Sequence, residues 1–131
     1  MSLPSISLEE ALYLAAQCRL GAENTDIKII AAIVDASGHL VALTRMDGAI
    51  AGGVDAAQAK ARCAVLYQRP TSSFADSYKK GKPVHTLPNV IPLGGGIPLW
   101  RNGILIGALG VSGAVEETET ALAEQVVAQN Y

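Results

Sequence analysis

The sequence predicts an α+β fold built on an antiparallel sheet, and two observations carry that expectation. Residues 28–35 (KIIAAIVD) and 39–46 (HLVALTRM) are rich in aliphatic and β-branched side chains, and only Ala36, Ser37 and Gly38 separate them, so they read as one hairpin. A second hairpin, 97–101 with 104–111, turns at Asn102-Gly103, the dipeptide best suited to the two left-handed positions of a tight turn. Segments of helical spacing lie before, between and after these hairpins, which is the pattern of an α+β domain.

The first helix is expected over residues 8–23. Ser7-Leu8-Glu9-Glu10 has the form of a capping box, in which the Ser7 hydroxyl accepts an amide of the first turn and the Glu10 carboxylate reaches back. Ala11, Leu12, Ala15, Cys18 and Gly21 or Ala22 form its apolar stripe. The first strand is apolar at successive positions, so both of its faces are covered. Asp47-Gly48 breaks the second strand, and Gly52-Gly53 leads into a helix over 54–67, whose alanines allow close approach to a sheet. Pro70 ends that helix, and a shorter one over 71–80 stops at Gly81, with Lys79 and Lys80 complementing its carboxyl-end dipole. Residues 82–93 hold three prolines and His85, and run into Gly94-Gly95-Gly96. After the second hairpin, Ser112-Gly113 ends the sheet, and a last helix over 117–129 carries Ala121, Leu122, Gln125 and Val126 as its inward stripe.

Composition narrows the function classes. The length of 131 residues suits one domain, 1–131. Half of the residues are hydrophobic but only 5% aromatic, and 17% are charged against about 25% in a typical soluble protein. Small aliphatic residues suit helix-on-sheet and subunit packing. A net charge of −2 with no Lys/Arg run argues against nucleic acid, which needs clustered positive charge. The uncharged run 84–100 is broken by Pro88, Pro92, Pro98 and three glycines, so it is no membrane helix. No signal peptide is visible, and Cys18 and Cys63 provide neither a disulfide framework nor metal-ligand spacing, so a cytoplasmic, reduced protein with no metal is expected.

Residues 34–49 (VDASGHLVALTRMDGA) resemble the signature of the GlcG/HbpS family, which includes the C-terminal domain of PduO-type proteins. Three more motifs keep the family's order: Ala59-Lys60-Ala61, Gly95-Gly96-Ile97-Pro98, and the run from Ile106 to Gly113. The resemblance covers nearly the whole chain. It implies a profilin-like or PAS-like antiparallel sheet of about five strands flanked by helices, and assembly into homodimers or higher homo-oligomers. It also implies haem as a candidate cofactor, since better-known members bind haem and some are described as haem-degrading.

Several residues are candidates for chemistry. Gly94, Gly95 and Gly96 offer unshielded amides for an anion or oxyanion, or mark a backbone crossing that only glycine tolerates. Arg45 and Asp47 share a strand face and form either a ligand clamp or an internal ion pair. His85, in an irregular loop beside the glycines, is either a titrating group or haem ligand, or a solvent-facing loop histidine, whereas His39 reads as a turn residue. On the first helix only Cys18 and Tyr13 could ligate haem, and the helical phase puts Cys18 in the core. Lys60 could reach a ligand carboxylate or lie on a solvated face. Cys63 and Ser112 complete the nucleophiles. Glu116, Glu117 and Glu119 read as a charged first turn favoured by the helix dipole, with cation binding as the alternative.

Three functions follow. The leading one is a small-molecule-binding homo-oligomer with ligand contacts from Arg45, Asp47, Lys60, His85 and Gly94 to Gly96, and with haem held by His85 or Cys18. The second is an enzyme acting on a small carboxylated or carbonyl compound through a glycine oxyanion site. The third is an assembly module without its own ligand.

Overall fold

The computed structural model describes residues 4–131. The elements are α1 (Leu8–Ala22), β1 (Ile30–Asp35), β2 (Leu40–Arg45), α2 (Gly52–Tyr67), α3 (Thr71–Lys79), a 3-10 turn (Val84–Thr86), β3 (Gly96–Arg101), β4 (Ile104–Ser112) and α4 (Glu116–Asn130). The strands form one antiparallel sheet in the order β2-β1-β4-β3. The expectation of about five strands is corrected to four among the described residues. Both hairpins form, but the proline-broken segment between α3 and β3 adds only the 3-10 turn, because proline lacks the N–H a ladder needs.

The turns follow from their residues. Asn102 and Gly103 both have positive φ, 52° and 77°, as a two-residue hairpin turn of this hand requires. Gln68 at φ 57° ends α2 in the left-handed region, and Pro70 then caps α3. Each hairpin contains one irregularity. Ile33 pairs with Ala42 but Val34 with Leu40, and Leu99 pairs with Gly107 but Trp100 with Leu105, leaving Val41 and Ile106 as the extra residues. The chain before α1 uses the second bulge, where Ile6 N–H donates to Ile106 C=O at 2.9 Å.

Helices cover both faces. Ile30, Ala32 and Val34 of β1 pack with α2, while Ala31 and Ile33 join α1 and α4 on the other side. This explains the uninterrupted apolar run in the first strand, which lies in the middle of the sheet and is buried on both sides. The alanines of α2 let it sit against β4 so closely that a Cβ on Gly110 would overlap the Ala57 carbonyl oxygen.

Two helical stripes differ from expectation. In α1, Leu14 is buried and Leu12 exposed; in α4, Glu119, Leu122, Ala123 and Val126 are buried while Ala121 and Gln125 face out. The α4 stripe is shifted because the buried face must include Glu119, whose partner lies on α2. Half of the capping box forms: Ser7 Oγ accepts Glu10 N–H at 3.1 Å, but the Glu10 carboxylate turns instead to Arg101 and Tyr131.

Candidate functional site

The irregular segment after α3 and the first turn of α4 border a set of adjoining clefts that meet at Glu116. One is a groove of 530 Å³ whose walls are largely apolar, formed by Tyr78, His85, Ile91, Pro92 and Leu93, with Lys79 and Glu116 at its edge. His85 is exposed in the 3-10 turn, and its ring meets the Tyr78 ring edge-on at 5.1 Å. An exposed imidazole against apolar walls can present a ring nitrogen to a ligand or to a metal centre carried by one.

Leu93 and Glu116 also line a second cleft of 390 Å³, with Lys60, Ser112 and Glu119 among its lining residues. Lys60 is 2% exposed and Glu119 6%. Lys60 Nζ lies 2.9 Å from Glu119 Oε1 and donates to the Val111 carbonyl at 3.1 Å, while Glu119 Oε2 accepts Ala114 N–H at 3.2 Å. The lysine is therefore neither on a solvated face nor alone. Glu119 is an internal counter-ion as well as a first-turn acid.

The glycine run is crowded by its neighbours. Gly94 N–H donates to Glu116 Oε2 at 2.7 Å, and Gly96 N–H donates to Thr71 Oγ1 at 2.8 Å. A Cβ on Gly94 would overlap Thr120, one on Gly95 would meet the Val111 carbonyl oxygen, and one on Gly96 would overlap the Lys60 carbonyl oxygen. Two of the three amides are thus committed inside the protein. The run carries the chain tightly past α2 and α4, with Gly95 at φ +120°.

The remaining candidates lie elsewhere. Arg45 and Asp47 are exposed and line a separate cleft of 430 Å³ with Arg19, Glu23 and Lys28; no ion pair joins them among the described residues. His39 is exposed beside Asp35, whose carboxylate accepts the N–H groups of Ser37 and His39 and so shapes the turn. Cys18 is fully buried in the core under α1, and burial pushes its thiol up to about 12. Tyr13 is half exposed on α1. Cys63 is buried beside Phe74 and Val90, and Ser112 Oγ donates to the Gly53 carbonyl at 2.6 Å. No cluster of metal-ligating side chains occurs among the described residues.

The family described as "Haem degrading protein HbpS-like" matches residues 6–128. The chain belongs to the HbpS-like family. Protein GlcG of Escherichia coli K12 is 35% identical over 109 residues, covering 82% of this chain and 80% of GlcG. The corrinoid adenosyltransferase PduO of Citrobacter freundii is 31% identical over 129 residues, which is 95% of this chain but only 38% of PduO. The chain thus spans little more than a third of that relative. Among solved structures, a double mutant of Streptomyces reticuli HbpS superposes with a TM-score of 0.89 at 28% identity, covering 100% of this chain and 90% of that one. A PduOC complex with haem superposes with a TM-score of 0.85 at 30% identity, covering 95% and 94%. The sequence resemblance to the GlcG/HbpS family is therefore correct. No helix of this HbpS-like chain is long and apolar enough to cross a membrane among the described residues.

Lys60 and His85 stand out in the sequence as candidates, but nothing local to either joins Lys60 to Glu119, 59 positions away. The available signal was a lysine surrounded by alanines on a helix with few other charges.

Proposed function

We propose that this HbpS-like chain binds an amphipathic small molecule of the haem type in the groove beside His85. The observation that carries the reading is the groove itself: one exposed imidazole set among Tyr78, Ile91, Pro92 and Leu93, with a lysine at the edge. These residues fit haem, which takes an axial ligand such as an imidazole, apolar walls and a cationic partner for a propionate. His85 would supply the axial nitrogen, the apolar side chains would cover the macrocycle, and Lys79 would exchange its Glu116 partner at 3.4 Å for a propionate. Bound haem supplies a redox-active iron; the chain supplies its position and apolar contact. Cys18 does not fit this role, because it is buried in the core with its thiol held protonated. The haem complex of the PduOC relative supports haem as the class of ligand.

The test is a haem titration followed by absorption. A saturable Soret shift in the wild type that weakens in His85→Ala and persists in Cys18→Ala supports the proposal. The same shift in wild type and His85→Ala contradicts it. An oxyanion-type enzyme receives less support, since the Gly94 and Gly96 amides already donate to Glu116 and Thr71.

We also read residues 1–131 as one profilin-like or PAS-like domain that self-associates in the cytoplasm. Leu12, Leu20, Ile50 and Val115 are between 50% and 70% exposed, apolar side chains that a second copy of the chain would take out of water. Both cysteines are free, which suits a reducing compartment. Light scattering that gives a single protomer mass at micromolar concentration would refute the self-association.

A further inference from the structure

The cleft over the Lys60–Glu119 pair is a second place where the molecule is built to receive a ligand, and it does not depend on the haem reading. Taking a lysine and a glutamate out of water is costly, and well-packed apolar residues of the same size often serve stability as well. Here both charges are retained at the base of an open cleft of 390 Å³, within the size range of small-molecule sites. An ammonium has three N–H donors. Those of Lys60 that have protein acceptors go to Val111 and Glu119, which leaves one for a group in the cleft. Ser112 has committed its proton to the Gly53 carbonyl, so its oxygen is left as an acceptor. The wall of Gly52 and Gly53 presents backbone rather than side chains, and a Cβ on Gly52 would meet nothing within 4 Å. Ile50, Ala56 and Leu93 supply apolar walls; Ile50 is 70% and Leu93 50% exposed.

The electrostatics select against an anion. Glu119 already balances Lys60, and a second carboxylate, Glu116, lines the same cleft with only the Gly94 N–H at 2.7 Å and the exposed Lys79 at 3.4 Å against its charge. A carboxylate ligand would bring a third negative charge to one buried ammonium. We propose that this cleft binds an uncharged short-chain oxygen compound, an alcohol, aldehyde or ketone, whose oxygen accepts the remaining Lys60 N–H while its aliphatic tail lies against Ile50 and Leu93. A hydroxyl can in addition donate to Ser112 Oγ.

The test is a titration of isotopically labelled protein with 2-pentanol, 2-pentanone and pentanoate, read by amide chemical shifts. The neutral compounds produce saturable shifts at Gly53, Ser112, Gly113 and Ala114, and pentanoate binds more weakly. Lys60→Met combined with Glu119→Gln removes the donor without orphaning a buried charge and weakens binding by about tenfold or more, the loss expected for one charged hydrogen bond. Ala56→Phe, which fills the cleft and leaves the ion pair intact, weakens it as well. The proposal is overturned if the neutral compounds give no saturable shift at those amides, if pentanoate binds more tightly than they do, or if Ala56→Phe binds them as the wild type does. Haem binding at His85 is read by absorption, so either result stands without the other.

Discussion

Lys60 on α2 and Glu119 on α4, on opposite faces of the sheet, form a buried ion pair of 2.9 Å around the end of β4. The pair is held from both sides, with the lysine also bound to Val111 and the glutamate to Ala114. Removing one partner leaves a nearly buried charge without its counter-ion. Lys60→Ala or Glu119→Ala is expected to cost about 3–5 kcal/mol in urea unfolding, whereas Lys60→Met with Glu119→Gln falls within about 2 kcal/mol of the wild type. Equal losses in the single and double variants would contradict the pairing.

The fold was largely legible before the pair was. Asn102-Gly103, Gly38 and Pro70 set turns and helix ends through their own backbone preferences, and such local choices can be read from neighbouring residues. Long-range choices cannot. Glu119 joins the buried face of α4 only because Lys60 waits across the sheet edge, and Glu10 leaves its capping box only because Arg101 and Tyr131 arrive beside it. The glycine run illustrates the same limit: three bare amides resemble an anion site until Glu116, Thr71 and the Lys60 carbonyl are seen against them.

Glycines separate into those that are crowded and those that are not. A Cβ on Gly110 would overlap the Ala57 carbonyl and crowd the Ala61 amide, so Gly110→Ala must push α2 away from β4. It is expected to destabilise by about 3 kcal/mol, at the upper end for overpacking because the obstacle is backbone. Gly52 opens α2 into free space, and Gly52→Ala is expected to stabilise by about 0.5–1 kcal/mol. Thermal melts of the two variants should therefore move in opposite directions.

Glu10 reports a separate latch that ties α1 to β3 and to Tyr131. Burial raises the Glu10 pKa, but the Arg101 guanidinium and the Tyr131 hydroxyl outweigh burial and hold the carboxyl below its ordinary value. Because the folded pKa is the lower one, the latch contributes stability above the unfolded carboxylate pKa and loses it as pH falls through the folded value. Arg101→Ala is expected to move the Glu10 midpoint upward in a carboxyl NMR titration. An unmoved midpoint would show that Arg101 does not hold it.

Burial raises both thiols, Cys18 to about 12; for Cys63 burial outweighs the opposing effects of the Ile91 backbone and Arg69. At pH 8 neither is expected to react with iodoacetamide in the folded protein, and both should react once it is unfolded in denaturant. Rapid labelling of native Cys18, read by peptide mass spectrometry, would reopen it as a ligand.

The apolar groove beside His85 is the proposed ligand site, and ferric haem locates itself, since its paramagnetic iron broadens nearby amide resonances. Substoichiometric haem added to isotopically labelled protein is expected to broaden the amides of Tyr78, Lys79, His85, Ile91 and Leu93, with His85→Ala weakening the effect. Broadening centred instead on Arg45 and Asp47 or on α1 around Cys18, or none at all, would contradict it.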